Sequence, residues 1–243
     1  MPQAERLQTT LAAGTLPGRG RTIITGGASG LGAAVATAVE AAGGVPIVLD
    51  LAEPEGDHDA ESVDLGDRRA AERAVQRAAE RHDGIDAVVA AAGTDACGRL
   101  EDVPADAWER VVMVNLLGTA AVVRAALPHV EAVNGRVVTV ASTLGVRALS
   151  DATAYCASKF GVVGFTRALA AETAGRVGVT LLVPGGMRTH FFDDRDEQYR
   201  PGPDAVLQDP HDVADAVLFA LSRPPGSELR ELVVTPPIEP SYP

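Results

Sequence analysis

Short apolar runs alternate with longer amphipathic stretches almost from one end of the chain to the other. Runs without inner polar alternation suit strands buried on both faces, so the pattern predicts a parallel sheet covered by helices on each side. The expected order begins with a strand over Thr22–Thr25, a helix over Leu31–Ala42, a strand over Pro46–Asp50 and a short third strand over Ser62–Asp64. Asp67 is placed to cap a helix reaching His82. Next come a strand over Ala87–Ala92, a long helix over Asp106–Ala132 bent before Pro128, and a strand over Arg136–Ala141. A helix over Thr153–Ala174, a strand over Val179–Val183, a helix over Pro210–Ser222 and a strand over Glu231–Val234 complete the series.

The fold class implied is α/β: a doubly wound parallel sheet of about seven strands in a single domain over residues 21–243. Residues 1–20 are set apart as an extension, with a short helix expected around Ala4–Ala13. Pro184–Asp209 is a long irregular connection, and its part at 187–209 reads as a substrate lid. Thr235–Pro243 is too rich in proline to continue as helix or central strand.

At 243 residues and 46% hydrophobic, the chain can bury one large core. The net charge of −12 argues against a phosphate-backbone surface, so nucleic acid is not an expected partner. No apolar run is seen to reach membrane length, and Met1–Gly20 lacks a signal-peptide core; a cytoplasmic protein with no membrane partner is expected. Cys97 and Cys156 stand far apart and read as reduced thiols. His58, His82, His129, His190 and His211 form no metal-ligand spacing, so no metal is expected.

Thr25-Gly26-Gly27-Ala28-Ser29-Gly30-Leu31-Gly32 lies where a buried strand turns into a helix. Such glycines let backbone N–H groups approach a pyrophosphate, and the helix dipole adds attraction; tight packing alone would also account for them. Asp50 ends the second strand about twenty residues later, where a carboxylate can hold a ribose hydroxyl and repel a 2′-phosphate. With no cation at Ser29 or Leu51, NAD is favoured over NADP as cofactor.

Tyr155 and Lys159 are four residues apart near a helix start, hence on one face. An ammonium beside a phenol favours the phenolate, which suits acid/base work, although this spacing alone arises by chance on many surface helices.

In their shared order these features resemble the short-chain dehydrogenase/reductase family, a Rossmann-like fold, along nearly the whole chain. Thr25–Gly32 is similar to its TGxxxGxG turn, Asn115 to its long-helix asparagine, Ser142 to its strand-end serine, and Tyr155 and Lys159 to its YxxxK pair. The resemblance implies Tyr155 as general acid/base, Lys159 orienting the cofactor ribose, Ser142 bonding the substrate oxygen, and Asn115 holding a proton-relay water. It also implies cofactor contacts from Gly26, Ser29, Gly30, Leu31 and Gly32, from Asp50, Leu51, Asp64 and Leu65, and from Ala91, Ala92 and Gly93. Pro184, Gly185, Met187 and Thr189 resemble the segment that closes on nicotinamide and phosphates. Two departures stand out. Ala90-Ala91-Ala92-Gly93 replaces the common Asn-Asn-Ala-Gly, and Met187 replaces a smaller aliphatic residue.

The expected activity is NAD-dependent hydride transfer with a small secondary alcohol or ketone, and Leu144 and Phe191 beside Ser142 and Tyr155 are candidates for substrate contact. The alternatives are a reductase of 3-oxoacyl groups on an acyl carrier protein and a non-catalytic dinucleotide-binding regulator. Arg188, Arg195 and Arg200 are offset by neighbouring acids, so no basic landing surface for a carrier is apparent. Alanine-rich helix faces suggest a homo-oligomer, a tetramer or dimer.

Overall fold

The computed structural model describes residues 16–54 and 56–242; the expected helix at Ala4–Ala13 lies outside them. Seven strands form one sheet: β1 (Arg21–Thr25), β2 (Val45–Asp50), β3 (Asp59–Ser62), β4 (Ala87–Ala90), β5 (Arg136–Val140), β6 (Gly178–Pro184) and β7 (Glu231–Val234). All pairings are parallel, in the order β3-β2-β1-β4-β5-β6-β7. The order reverses between β1 and β4, and the crevice outside the strand ends at such a switch is where this architecture binds ligands. β1, β4, β5 and β6 are buried along their whole length, mostly apolar with a few buried threonines and the two first-position arginines Arg21 and Arg136.

The helices are α1 (Gly30–Ala41), α2 (Arg68–His82), α3 (Ala105–Val112), α4 (Thr119–Ala132), α5 (Thr153–Glu172) and α6 (Pro210–Leu221). Val35 and Val39 of α1 share one core with Val213 and Val217 of α6, while Val75 of α2 shares the opposite core with Val122 of α4 and Leu169 of α5. The sheet is therefore covered on both faces. Asp67 caps α2 by accepting from the N–H groups of Arg69 and Ala70, both at 3.0 Å.

Three expected elements are corrected. The third strand lies at Asp59–Ser62 rather than Ser62–Asp64, because it is an exposed edge strand whose Asp59 and Glu61 face Arg81 of α2 at 3.1 and 3.0 Å. The fourth strand stops at Ala90, where its pairing with Thr25 ends, and Ala91 and Ala92 leave the sheet. The long helix departs from α geometry at a π turn, Met113–Gly118, and runs through Pro128 instead of bending before it. Taken together, Ala105–Ala132 is long and apolar enough to cross a membrane, contrary to the reading of the sequence. Half of its most apolar window is buried in the fold, as a core helix demands. The connection after β6 carries two 3-10 turns, His190–Phe192 and Glu197–Tyr199, and is tied across its base by Gln208 N–H donating to the Gly186 carbonyl at 3.0 Å.

Candidate active site

The glycine turn is dictated by space. Gly26 has φ +71°, and a Cβ there would lie 2.8 Å from Ala92 Cα; a Cβ on Gly32 would lie 2.0 Å from the Gly26 carbonyl oxygen. Only glycine lets the start of α1 close onto β1 in this way. Ser29 precedes the helix in an extended conformation without a side-chain cap, and the first turn holds no acid. The N–H groups at this helix start therefore stay available to an anion, and they border a cavity of about 750 Å³. An open donor cluster with glycine on its surface fits the diphosphate of a dinucleotide.

Asp50 Oδ2 accepts the Ala28 N–H at 2.9 Å and its Oδ1 accepts the Ala52 N–H at 3.1 Å, which fixes the carboxylate beside the turn. Leu51 is largely exposed next to it. Asp64 is held by two donors: Arg110 donates to Oδ2 at 2.8 Å and the Gly66 N–H to Oδ1 at 2.7 Å. The Arg110 bond, with the Gly66 bond, keeps the Asp64 carboxyl below the usual carboxylate range. Arg110 borders the same cavity and was not singled out in the sequence, because nothing local signals a partner 46 positions away.

At the other end, Tyr155 and Lys159 sit one turn apart on α5, 9% and 3% exposed. Lys159 Nζ donates to the Val140 carbonyl at 2.9 Å. Burial brings the lysine down to about 8, with Asp95 acting in the opposite sense. Burial likewise raises the Tyr155 phenol above its ordinary value; Ser142 and Arg195 act against that rise, while Asp95 and Cys156 add to it. Ser142, just beyond β5, accepts the Leu144 N–H at 3.1 Å.

Asn115 falls inside the π turn, where the widened helix aims its amide inward. Its Oδ1 accepts the Thr94 N–H at 2.8 Å, and its Nδ2 donates to the Thr94 carbonyl at 2.9 Å and to Ser158 Oγ at 3.0 Å. The Ala92 N–H donates to Thr25 Oγ1 at 3.1 Å. These bonds hold the β4 end despite the alanines that replace the family's asparagine pair.

One cavity joins the two ends. Along it lie Gly26, Ser29–Gly32, Asp50, Leu51, Asp64, Leu65, Ala91–Gly93, Ser142, Leu144, Tyr155, Lys159, Pro184, Gly185, Met187, Thr189 and Phe191. Asn115 stands one layer behind. Sequence reasoning missed the C-terminal tail, whose Ile238–Ser241 forms a further wall. Glu239 Oε2 accepts the Gly186 N–H at 2.9 Å, and Thr143 and Ser241 share a hydroxyl hydrogen bond at 2.7 Å. It also missed Asp95, which pairs with Arg195 at 2.6 Å. Among the described residues no cluster of three or more metal-ligating side chains occurs.

Residues 21–200 match the model of the family described as short chain dehydrogenase. The chain belongs to the short-chain dehydrogenase/reductase family. Oxidoreductases of this family bind nicotinamide dinucleotides and act on small molecules. An uncharacterized oxidoreductase of Staphylococcus aureus strain MW2 is 30% identical, over 88% of this chain and 96% of its own length. Glycine betaine reductase ATRR of Emericella nidulans is 31% identical over 98% of this chain, which spans only 20% of that relative's length. Among solved structures, ligand-free aldohexose dehydrogenase of Thermoplasma acidophilum superposes with a TM-score of 0.79 at 23% identity, covering 90% of this chain and 95% of that one. An alcohol dehydrogenase of the archaeon Thermococcus sibiricus, complexed with 5-hydroxy-NADP, gives 0.77 at 23% identity, covering 88% and 94%. These two establish the likeness of fold to other short-chain dehydrogenases.

Proposed function

We propose that this chain is an NAD-dependent oxidoreductase that moves hydride between nicotinamide and a small secondary alcohol or ketone. The observation that carries this reading is a single cavity with the open start of α1 at one end and the buried Tyr155–Lys159 pair at the other. A bound dinucleotide would supply the hydride donor or acceptor. Tyr155 gives its phenolic proton to the ketone oxygen in reduction, or takes the alcohol proton in oxidation, as general acid/base. Ser142 offers a hydroxyl to the same oxygen. The Lys159 ammonium favours the phenolate and would hold the ribose of a bound cofactor, and Asn115 would serve the relay that returns protons from solvent.

Asp50 supports NAD over NADP, since its carboxylate is fixed beside the glycine turn where a 2′-phosphate would meet like charge. A small molecule is favoured over a carrier-bound acyl group because the arginines of the connection are engaged: Arg188 with Asp209, Arg195 with Asp95, and Arg200 with the Arg195 and Asp193 carbonyls. The connection at 187–209 acts as a lid. Exposed Phe160 and the open surface at Gly164 on α5 support a homo-oligomer, which light scattering reads.

The test is a screen of secondary alcohols with NAD and NADP, and of ketones with the reduced forms, followed by nicotinamide absorbance. Turnover with NAD on a small alcohol or ketone supports the proposal; turnover confined to carrier-bound 3-oxoacyl substrates, or binding without turnover, overturns it.

A further inference from the structure

We propose that Arg195, held by Asp95, is a positioning residue for the reaction at Tyr155: the pair fixes the Phe191 wall against the tyrosine ring and ties the connection after β6 to the loop after β4. Asp95 lies in that loop with its side chain only 6% exposed, and Arg195, 17% exposed, borders the cavity. The carboxylate is itself locked, since Oδ1 accepts the Ala96 N–H at 2.7 Å and Oδ2 accepts the Cys97 thiol at 3.2 Å.

From Asp95 the contacts run inward without a gap. Arg195 Nη2 donates to Asp95 Oδ2 at 2.6 Å, and Nη1 donates to the Tyr199 carbonyl at 3.3 Å. The guanidinium carbon lies 5.1 Å from the Phe191 ring centre and 4.6 Å from that of Phe192. Phe191 in turn lies 5.7 Å from the Tyr155 ring, tilted by 54°, and meets Phe192 edge-on at 5.5 Å.

A desolvated ion pair of this kind adds little net stability, because the cost of leaving water offsets most of the attraction. Arg195 also leaves its buried Nε without an acceptor among the described residues, a further cost. What the arrangement delivers is location: a planar cation laid across two rings that wall the reacting end. The charged and titratable groups facing Tyr155 are Asp95 and Arg195 from the two loops, with Lys159 and the Cys156 thiol on its own helix. Arg195 therefore favours the phenolate as well as placing the wall.

The first arm of the test needs no turnover. Amide hydrogen exchange over 190–199 is measured in the free protein for the wild type, Asp95→Asn, Arg195→Gln and the double variant. Each single variant is expected to exchange about tenfold faster there, and the double variant no faster than either single. Unchanged exchange in both singles, or independent multiplication of their effects, overturns the proposal.

The second arm rests on the function proposed above and uses a substrate from that screen. The acidic limb of the kcat/KM profile for alcohol oxidation is expected to move to higher pH in Arg195→Gln and to return towards the wild-type position in Arg195→Lys, with the Kd for NAD unchanged. Identical profiles for the two arginine variants, or an effect confined to the NAD Kd, would contradict it. A wild type that turns over nothing defeats the functional reading alone, and the exchange arm still decides the pair.

Discussion

The Lys159 Nζ lies 5.6 Å from the centre of the Tyr155 ring, one turn further along the same helix. Burial sets the two groups in opposite directions: the lysine falls to about 8 from 10.5, and the phenol rises above 10. Between about pH 8 and 10 the unfolded chain holds more protons at Lys159 than the folded one, so stability gains with pH there. Above pH 10 the folded state retains the Tyr155 proton longer, and stability is lost again.

Replacing Lys159 by Met should flatten the gain between pH 8 and 10, which for one group is at most about 1.4 kcal/mol per pH unit. Urea unfolding of both proteins at the two pH values measures it. Equal slopes in wild type and variant would contradict the burial of a titrating ammonium.

Asp50 should make NAD bind more tightly than NADP. In Asp50→Asn the bond from Ala28 can persist while the charge is gone, and the preference should narrow by about tenfold, equivalent to about 1.4 kcal/mol. Fluorescence titration with both dinucleotides checks this, and an unchanged ratio would remove Asp50 from cofactor choice.

Asp86 is fully buried and accepts from the Arg19 and Arg21 N–H groups and from the Arg21 guanidinium, at 2.7–2.9 Å. Asp86→Ala leaves that guanidinium at the base of β1 with only the His82 and Asp83 carbonyls and no counter-charge, and should cost about 3–5 kcal/mol of stability. Chemical denaturation reads the loss. Turnover per folded molecule should be unaffected, because Asp86 is remote from the cavity residues.

If 187–209 is a lid, its amide protection should rise when NAD and substrate are both added. Phe191 and Phe192 are only partly buried, and completing the burial of one such ring contributes about 1.5–3 kcal/mol. Protection equal to that of the core helices already in the free protein would rule out closure.

Much of this architecture was legible because it is written locally. The glycine turn, the Asp67 cap and the four-residue spacing of Tyr155 and Lys159 each need only a few neighbours to declare themselves. The third strand was misplaced because Asp59-Ala60-Glu61-Ser62 alternates weakly and owes its position to arginines on α2. The π turn around Asn115 was invisible, since Met113-Val114-Asn115-Leu116-Leu117 is apolar on nearly every face and offers no helical phase whose shift could be read. The Asp95–Arg195 pair spans 100 positions and the Thr143–Ser241 bond 98, so only the folded chain brings them together. The proline-rich tail announced where structure must stop, but not that it returns to the cavity.

Replacing Tyr155 by Phe removes one hydroxyl and keeps the ring that packs against Phe191. On a substrate that the wild type turns over, kcat should fall by at least about 100-fold while the Kd for NAD stays within about twofold. Near-normal turnover by Tyr155→Phe would contradict the assignment of Tyr155 as the acid/base.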